Sequence, residues 1–146
     1  MTIDERIARY IIKAQISSDA GKYIRNDTGS RYRIARSPER FGYDMKTWYI
    51  YQALKLIRSN KQSMFNYYVT DYTPDQNGHD SIITYFDFNI DGKRYQISFH
   101  TPEEKIPIEL LKMCGTGRKT RWRKSVSSID STRALVKKFN LDENSL

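Results

Sequence analysis

The sequence predicts an α+β fold: an all-α bundle at the N-terminus, then a small antiparallel β-hairpin or sheet with C-terminal helices. Three observations point there. Apolar residues recur at three- and four-residue spacing through the first 58 positions. After residue 63 the rhythm changes to alternation. Within that second part, two alternating runs flank Asp91-Gly92, a strong hairpin signal because a tight type I′ turn needs positive φ at both central residues.

Ile3, Ile7, Tyr10, Ile11 and Ala14 share one face of a first helix, with Asp4 and Glu5 in its first turn, where the helix dipole favours anions. Ser17 and Ser18 are good caps, so a second helix is expected to start there and run through Ala20, Tyr23 and Ile24 until Gly29 ends it. A short third helix opens at Ser30, covers residues 31–36 and stops before Pro38. A fourth spans about Asp44 to Arg58 and buries Trp48, Ile50, Tyr51, Leu54 and Ile57. The polar residues 60–63 are the expected linker, giving a helical domain over 1–62 and an α+β domain over 63–146.

Residues 64–72 are aromatic-rich and read as a strand, followed by a loop at Pro74, Asp75, Asn77 and Gly78. The hairpin strands cover 82–90, with Phe86, Phe88 and Ile90 on one face, and 93–100, with Tyr95, Ile97 and Phe99 on one face. Thr101-Pro102-Glu103-Glu104 has the form of a helix start, and a short helix over about 108–113 follows. Gly115-Thr116-Gly117 breaks the chain. A last helix from about Ser128 to Phe139 is expected to turn Ile129, Thr132, Leu135, Val136 and Phe139 inward.

Charge is unevenly spread. The formal net charge is +8, with 25 Lys+Arg against 17 Asp+Glu. Residues 1–62 carry +7, residues 63–110 carry −5, and residues 111–146 carry +6. Two basic ends around an acidic middle imply localised faces and a polyanionic partner, since Lys and Arg release counterions on meeting phosphates. The acidic middle can pair with the basic ends, repel a nucleic acid or imitate one. The single cysteine, Cys114, excludes an internal disulfide and a Cys-based zinc site. A charged start and the lack of a long apolar run fit a cytoplasmic protein with no membrane partner.

The stretch from Ile24 to Arg36 resembles the helix-turn-helix of the phage repressor (Cro/C1-type) family. Gly29 makes the turn, Ser30 caps the following helix and Ile34 anchors it. The resemblance covers roughly residues 3–58. It departs from the family pattern in two places: no apolar residue separates Gly29 from Ser30, and Arg25 stands where a small residue is usual. The resemblance implies a recognition helix carrying Ser30, Arg31, Tyr32, Arg33 and Arg36, entering the major groove of duplex DNA N-terminus first. Arginine there can pair bidentately with guanine or with a phosphate. It also implies a phage or mobile-element transcriptional (auto)repressor that binds a palindrome as a homodimer.

A second basic segment carries Arg118, Lys119, Arg121, Trp122, Arg123 and Lys124. The cations can grip phosphates and Trp122 can stack on a base. Equally, Trp122 can be buried, with its flanking cations pairing with Asp71, Asp87 or Glu109. An acidic protein surface suits the same patch. The layout of helical head and α+β tail also resembles bipartite anti-CRISPR proteins, which implies, as the rival reading, a partner in a type II Cas9–guide RNA complex.

Catalysis has little to stand on. His79 and His100, the only histidines, have no helical pairing or metal spacing. Cys114 has no identifiable base and fits a small buried residue. Asp87 and Asp91 lie opposite Phe86, Phe88 and Ile90, which predicts solvated carboxylates. A protein with no enzymatic role, cofactor or metal is expected.

Overall fold

The computed structural model describes residues 1–25, 45–72, 81–102, 108–113 and 128–141. Its elements are α1 (Ile3–Arg25), α2 (Met45–Ser59), β1 (Phe65–Tyr72), β2 (Ser81–Ile90), β3 (Lys93–Pro102), α3 (Ile108–Leu111) and α4 (Ser128–Phe139). The class is α+β.

α1 begins at a threonine N-cap. Thr2 Oγ1 accepts from the Glu5 amide at 3.1 Å, and the Thr2 carbonyl accepts the first intrahelical bond, from Arg6 N at 3.0 Å. The helix then runs unbroken for 23 residues. This corrects the expected break at Ser17 and Ser18. The Ser18 hydroxyl donates to the Ala14 carbonyl at 3.0 Å, four residues back. A serine bonded this way sits inside a helix rather than starting one. Of the segment that carries the helix-turn-helix resemblance, only Ile24 and Arg25 fall within the described residues.

α2 matches its expected span, and its inward residues are Thr47, Ile50, Ala53, Leu54 and Ile57. Trp48 and Tyr51, expected inside, are only half-buried. The small Thr47 and Ala53 take the inner positions, which lets neighbouring elements approach α2 closely. The 60–63 segment is a tight turn, with Asn60 N on Ile57 O and Ser63 N on Asn60 O, both 3.1 Å. Asp4 of α1 pins it: one carboxylate oxygen accepts from Ser63 Oγ at 2.6 Å, and both accept from Met64 N at 3.3 Å. Because Asp4 meets the end of α2 while Tyr10 meets Tyr49, the two helices lie antiparallel.

The sheet is antiparallel in the order β1-β2-β3. Its register places Phe65 beside Phe88, Tyr67 beside Phe86 and Val69 beside Thr84. On the other side Phe86 pairs with Ile97 and Thr84 with Phe99. These side chains share one buried face, as alternation dictates. The β2–β3 turn has the expected left-handed pair, Asp91 at φ 52° and Gly92 at φ 83°, and Asn89 Oδ1 accepts from Gly92 N at 2.9 Å. β3 runs two residues further than expected. Thr101 pairs with Ile82 and Pro102 with Ser81, so these two residues end a strand rather than open a helix. Proline is tolerated at a strand end, where its missing N–H breaks no ladder bond.

α4 spans the expected residues but with a different inner edge. Ser131 and Leu135 are fully buried, while Ile129, expected inside, is 64% exposed. The Ser131 hydroxyl accepts from Gln96 N at 3.3 Å, tying α4 to β3. Phe139 stacks on Phe65 with centroids 6.5 Å apart. Ile7, Ile11, Leu54, Phe86, Ile97 and Leu135 belong to one hydrophobic core, so that core crosses the position of the 62/63 boundary. No helix among the described residues is long and apolar enough to cross a membrane.

Candidate nucleic-acid interface

Every residue expected to touch a partner lies outside the described residues: Ser30, Arg31, Tyr32, Arg33 and Arg36 in the first group, and Arg118, Lys119, Arg121, Trp122, Arg123 and Lys124 in the second. So do His79 and Cys114. What the described residues bring together is a cationic stripe on α1 that meets Tyr49 of α2, which sequence reasoning missed.

The surface follows from two amphipathic faces. In α1, Ile7, Ala8, Ile11 and Ala14 are buried. Arg6, Arg9 and Lys13, spaced by three and four residues, form a stripe on the opposite side; Arg6 is exposed, Arg9 and Lys13 half-buried. α2 contributes exposed Lys55 and Arg58, with half-buried Lys46. Over residues 1–18 and 45–63 there are seven cations (Arg6, Arg9, Lys13, Lys46, Lys55, Arg58, Lys61) and two acids, Asp4 and Glu5. Asp4 is committed to the turn after α2. Glu5 stands one turn before Arg9, beside the positive end of the helix. Of the seven cations, Arg6, Lys55, Arg58 and Lys61 are exposed.

Tyrosines lie between these cations. Tyr10 and Tyr49 meet across the helix pair with centroids 6.2 Å apart. The Lys13 ammonium sits 5.7 Å from the Tyr49 ring centre and the Lys55 ammonium 5.0 Å from that of Tyr51. Such contacts hold the ammonium groups over ring faces and so order both lysine side chains. Other cations also have partners within the fold: Lys46 Nζ donates to the His100 carbonyl at 2.7 Å, Arg58 Nη1 lies 3.2 Å from Met113 Sδ, and Arg9 makes an interaction of its own. The amphipathic spacing of Arg6, Arg9 and Lys13 was the signal available in the sequence.

The other polar features have structural roles. Asp87, expected to be solvated, is fully buried and accepts from Gln96 Nε2 at 2.6 Å. Burial pushes its pKa from 3.8 up to about 6, partly offset by the Gln96 hydrogen bond. Asp91 is exposed at the turn, as expected, and His100 is exposed near the end of β3. A polar depression of about 380 Å³ opens between Thr2, Asp4, Asn60 and Ser63, where Asp4 already serves the 60–63 turn. Among the described residues, no group of three His, Cys, Asp or Glu side chains is placed to hold a metal ion. No family model, curated protein or solved structure matches this chain.

Proposed function

We propose that this protein binds nucleic acid: a small phage or mobile-element DNA-binding regulator that represses transcription, its own included. In this reading Arg31, Arg33 and Arg36 of the helix-turn-helix-like segment read the duplex, and Arg121, Trp122 and Arg123 add affinity. A second copy would engage the other half of a palindrome. The observation carrying the proposal is the charge partition. Seven cations against two acids over residues 1–18 and 45–63, with tyrosine rings under Lys13 and Lys55, is the pattern expected of a surface meeting a phosphate backbone.

The test is a gel shift on the duplex upstream of the protein's own coding sequence, across a salt series. Binding that weakens linearly in log salt, and preference for that duplex lost in Arg31→Ala/Arg33→Ala, are the expected results. A protein that shifts no duplex yet blocks guide-RNA-directed cleavage by Cas9 would replace this reading with the inhibitor one.

A further inference from the structure

We infer that the Arg6–Arg9–Lys13 stripe of α1 is a duplex-DNA backbone clamp, separate from the segment that reads sequence. The inference rests on the nucleic-acid reading above and names the surface that supplies sequence-independent affinity. Three features carry it.

The first is geometry. Seven residues of helix separate Arg6 from Lys13, about 10 Å of rise, and consecutive phosphates on one strand lie a few ångströms apart. Three cations along one stripe can therefore engage adjacent phosphates of a single strand. The rigidity of α1 supports this: its first turn is capped by Thr2 and anchored through Asp4 to Ser63 and Met64. A helix fixed at its start presents its cations at set spacing, so little ordering entropy is lost on binding.

The second is local electrostatics. The stripe lies opposite the buried side of α1, and neighbouring α2, over Met45–Ser59, contains no acid. Glu5 is the carboxylate that α1 itself sets beside the stripe, four residues from Arg9, and one acid against three cations leaves a surplus of positive charge. The third is the Tyr49 ring beneath Lys13. A lysine whose ammonium already sits over a ring loses less conformational freedom when it meets a phosphate. The chemistry selected is a polyanionic backbone, since a run of cations along one stripe matches a run of phosphates whatever the bases.

The experiment uses full-length protein and three probes: the upstream duplex, an unrelated duplex of equal length, and vesicles of phosphatidylserine with phosphatidylcholine. Proteins compared are wild type, Arg6→Gln/Arg9→Gln/Lys13→Gln and the single exposed change Arg6→Glu, each checked by circular dichroism; Arg6→Glu carries the test if the triple variant is unfolded. The expected result is a loss of affinity of about tenfold or more for both duplexes alike. The salt-dependence slope should fall by about 0.9 for each phosphate contact removed, with the ratio between duplexes unchanged. Wild-type binding with unaltered slope and affinity in folded variants overturns the clamp and leaves the reading of 30–36 standing. Failure of wild type to bind either duplex overturns both. Binding to the vesicles alone likewise overturns the clamp.

Discussion

Gln96 Nε2 donates to Asp87 Oδ1 across the β2–β3 ladder at 2.6 Å, on a carboxylate that has no solvent exposure. The same Gln96 donates its backbone N–H to Ser131 of α4. One residue thus joins a buried acid to the helix packed on β3, and the acid's titration is linked to folding.

The sign of that linkage follows from the raised pKa. In the unfolded chain Asp87 titrates near 3.8 and in the fold near 6, so the native state binds the proton more tightly. Its contribution to stability should grow as pH falls through 6 toward 3.8 and is lost as pH rises above 6. Asp87→Asn keeps an oxygen to accept from Gln96 and removes the titration. Urea unfolding of both proteins from pH 4 to 7.5 should show the variant gaining on wild type as pH rises, by on the order of 1 kcal/mol. A constant difference across the series would refute this.

Ser18→Ala separates a capping serine from one inside a helix. Loss of an N-cap costs about 1 kcal/mol. Loss of the bond to the Ala14 carbonyl, in exchange for alanine's better helix propensity, should leave the melting temperature unchanged or slightly higher. A drop of several degrees would restore the two-helix description of residues 3–25.

The Asp4–Ser63 contact joins the first turn of α1 to the turn after α2. Asp4→Ala removes this bond and the one to Met64 N, and should cost about 1–2 kcal/mol. Ser63→Ala should cost less. A double-mutant cycle by chemical denaturation should return a coupling near 1 kcal/mol, whereas zero coupling would mean that the contact contributes nothing in solution.

Thr84 lies fully buried on the inner face of β2, and its hydroxyl finds no hydrogen-bond partner. Valine has nearly the same shape without the polar atom. Thr84→Val should stabilise the protein by about 1 kcal/mol, read as a higher denaturation midpoint with unchanged slope. A destabilised Thr84→Val would mean that the hydroxyl is satisfied in solution.

Much of the fold was legible before any coordinates. α2, the hairpin and α4 follow from residue spacing, because a helix and a strand repeat with different periods and Asp91-Gly92 suits a turn that most other pairs do not. The candidate interface was legible in principle and overlooked: Arg6, Arg9 and Lys13 were visible as the polar side of a helix, but charge clustering drew attention to 30–36 and 118–124 instead.

Sequence alone determined the class, the strand alternation and the sign of the surface charge, since each depends on local pattern or on composition. Tertiary structure decided the rest. It lengthened β3 because β2 offered a partner as far back as Ser81. It set α4 so that Ser131 faces inward and Ile129 outward, and it buried Asp87 on the face that alternation had assigned to water. Periodicity gives a residue its side of an element; only the packing of other elements determines which sides meet solvent.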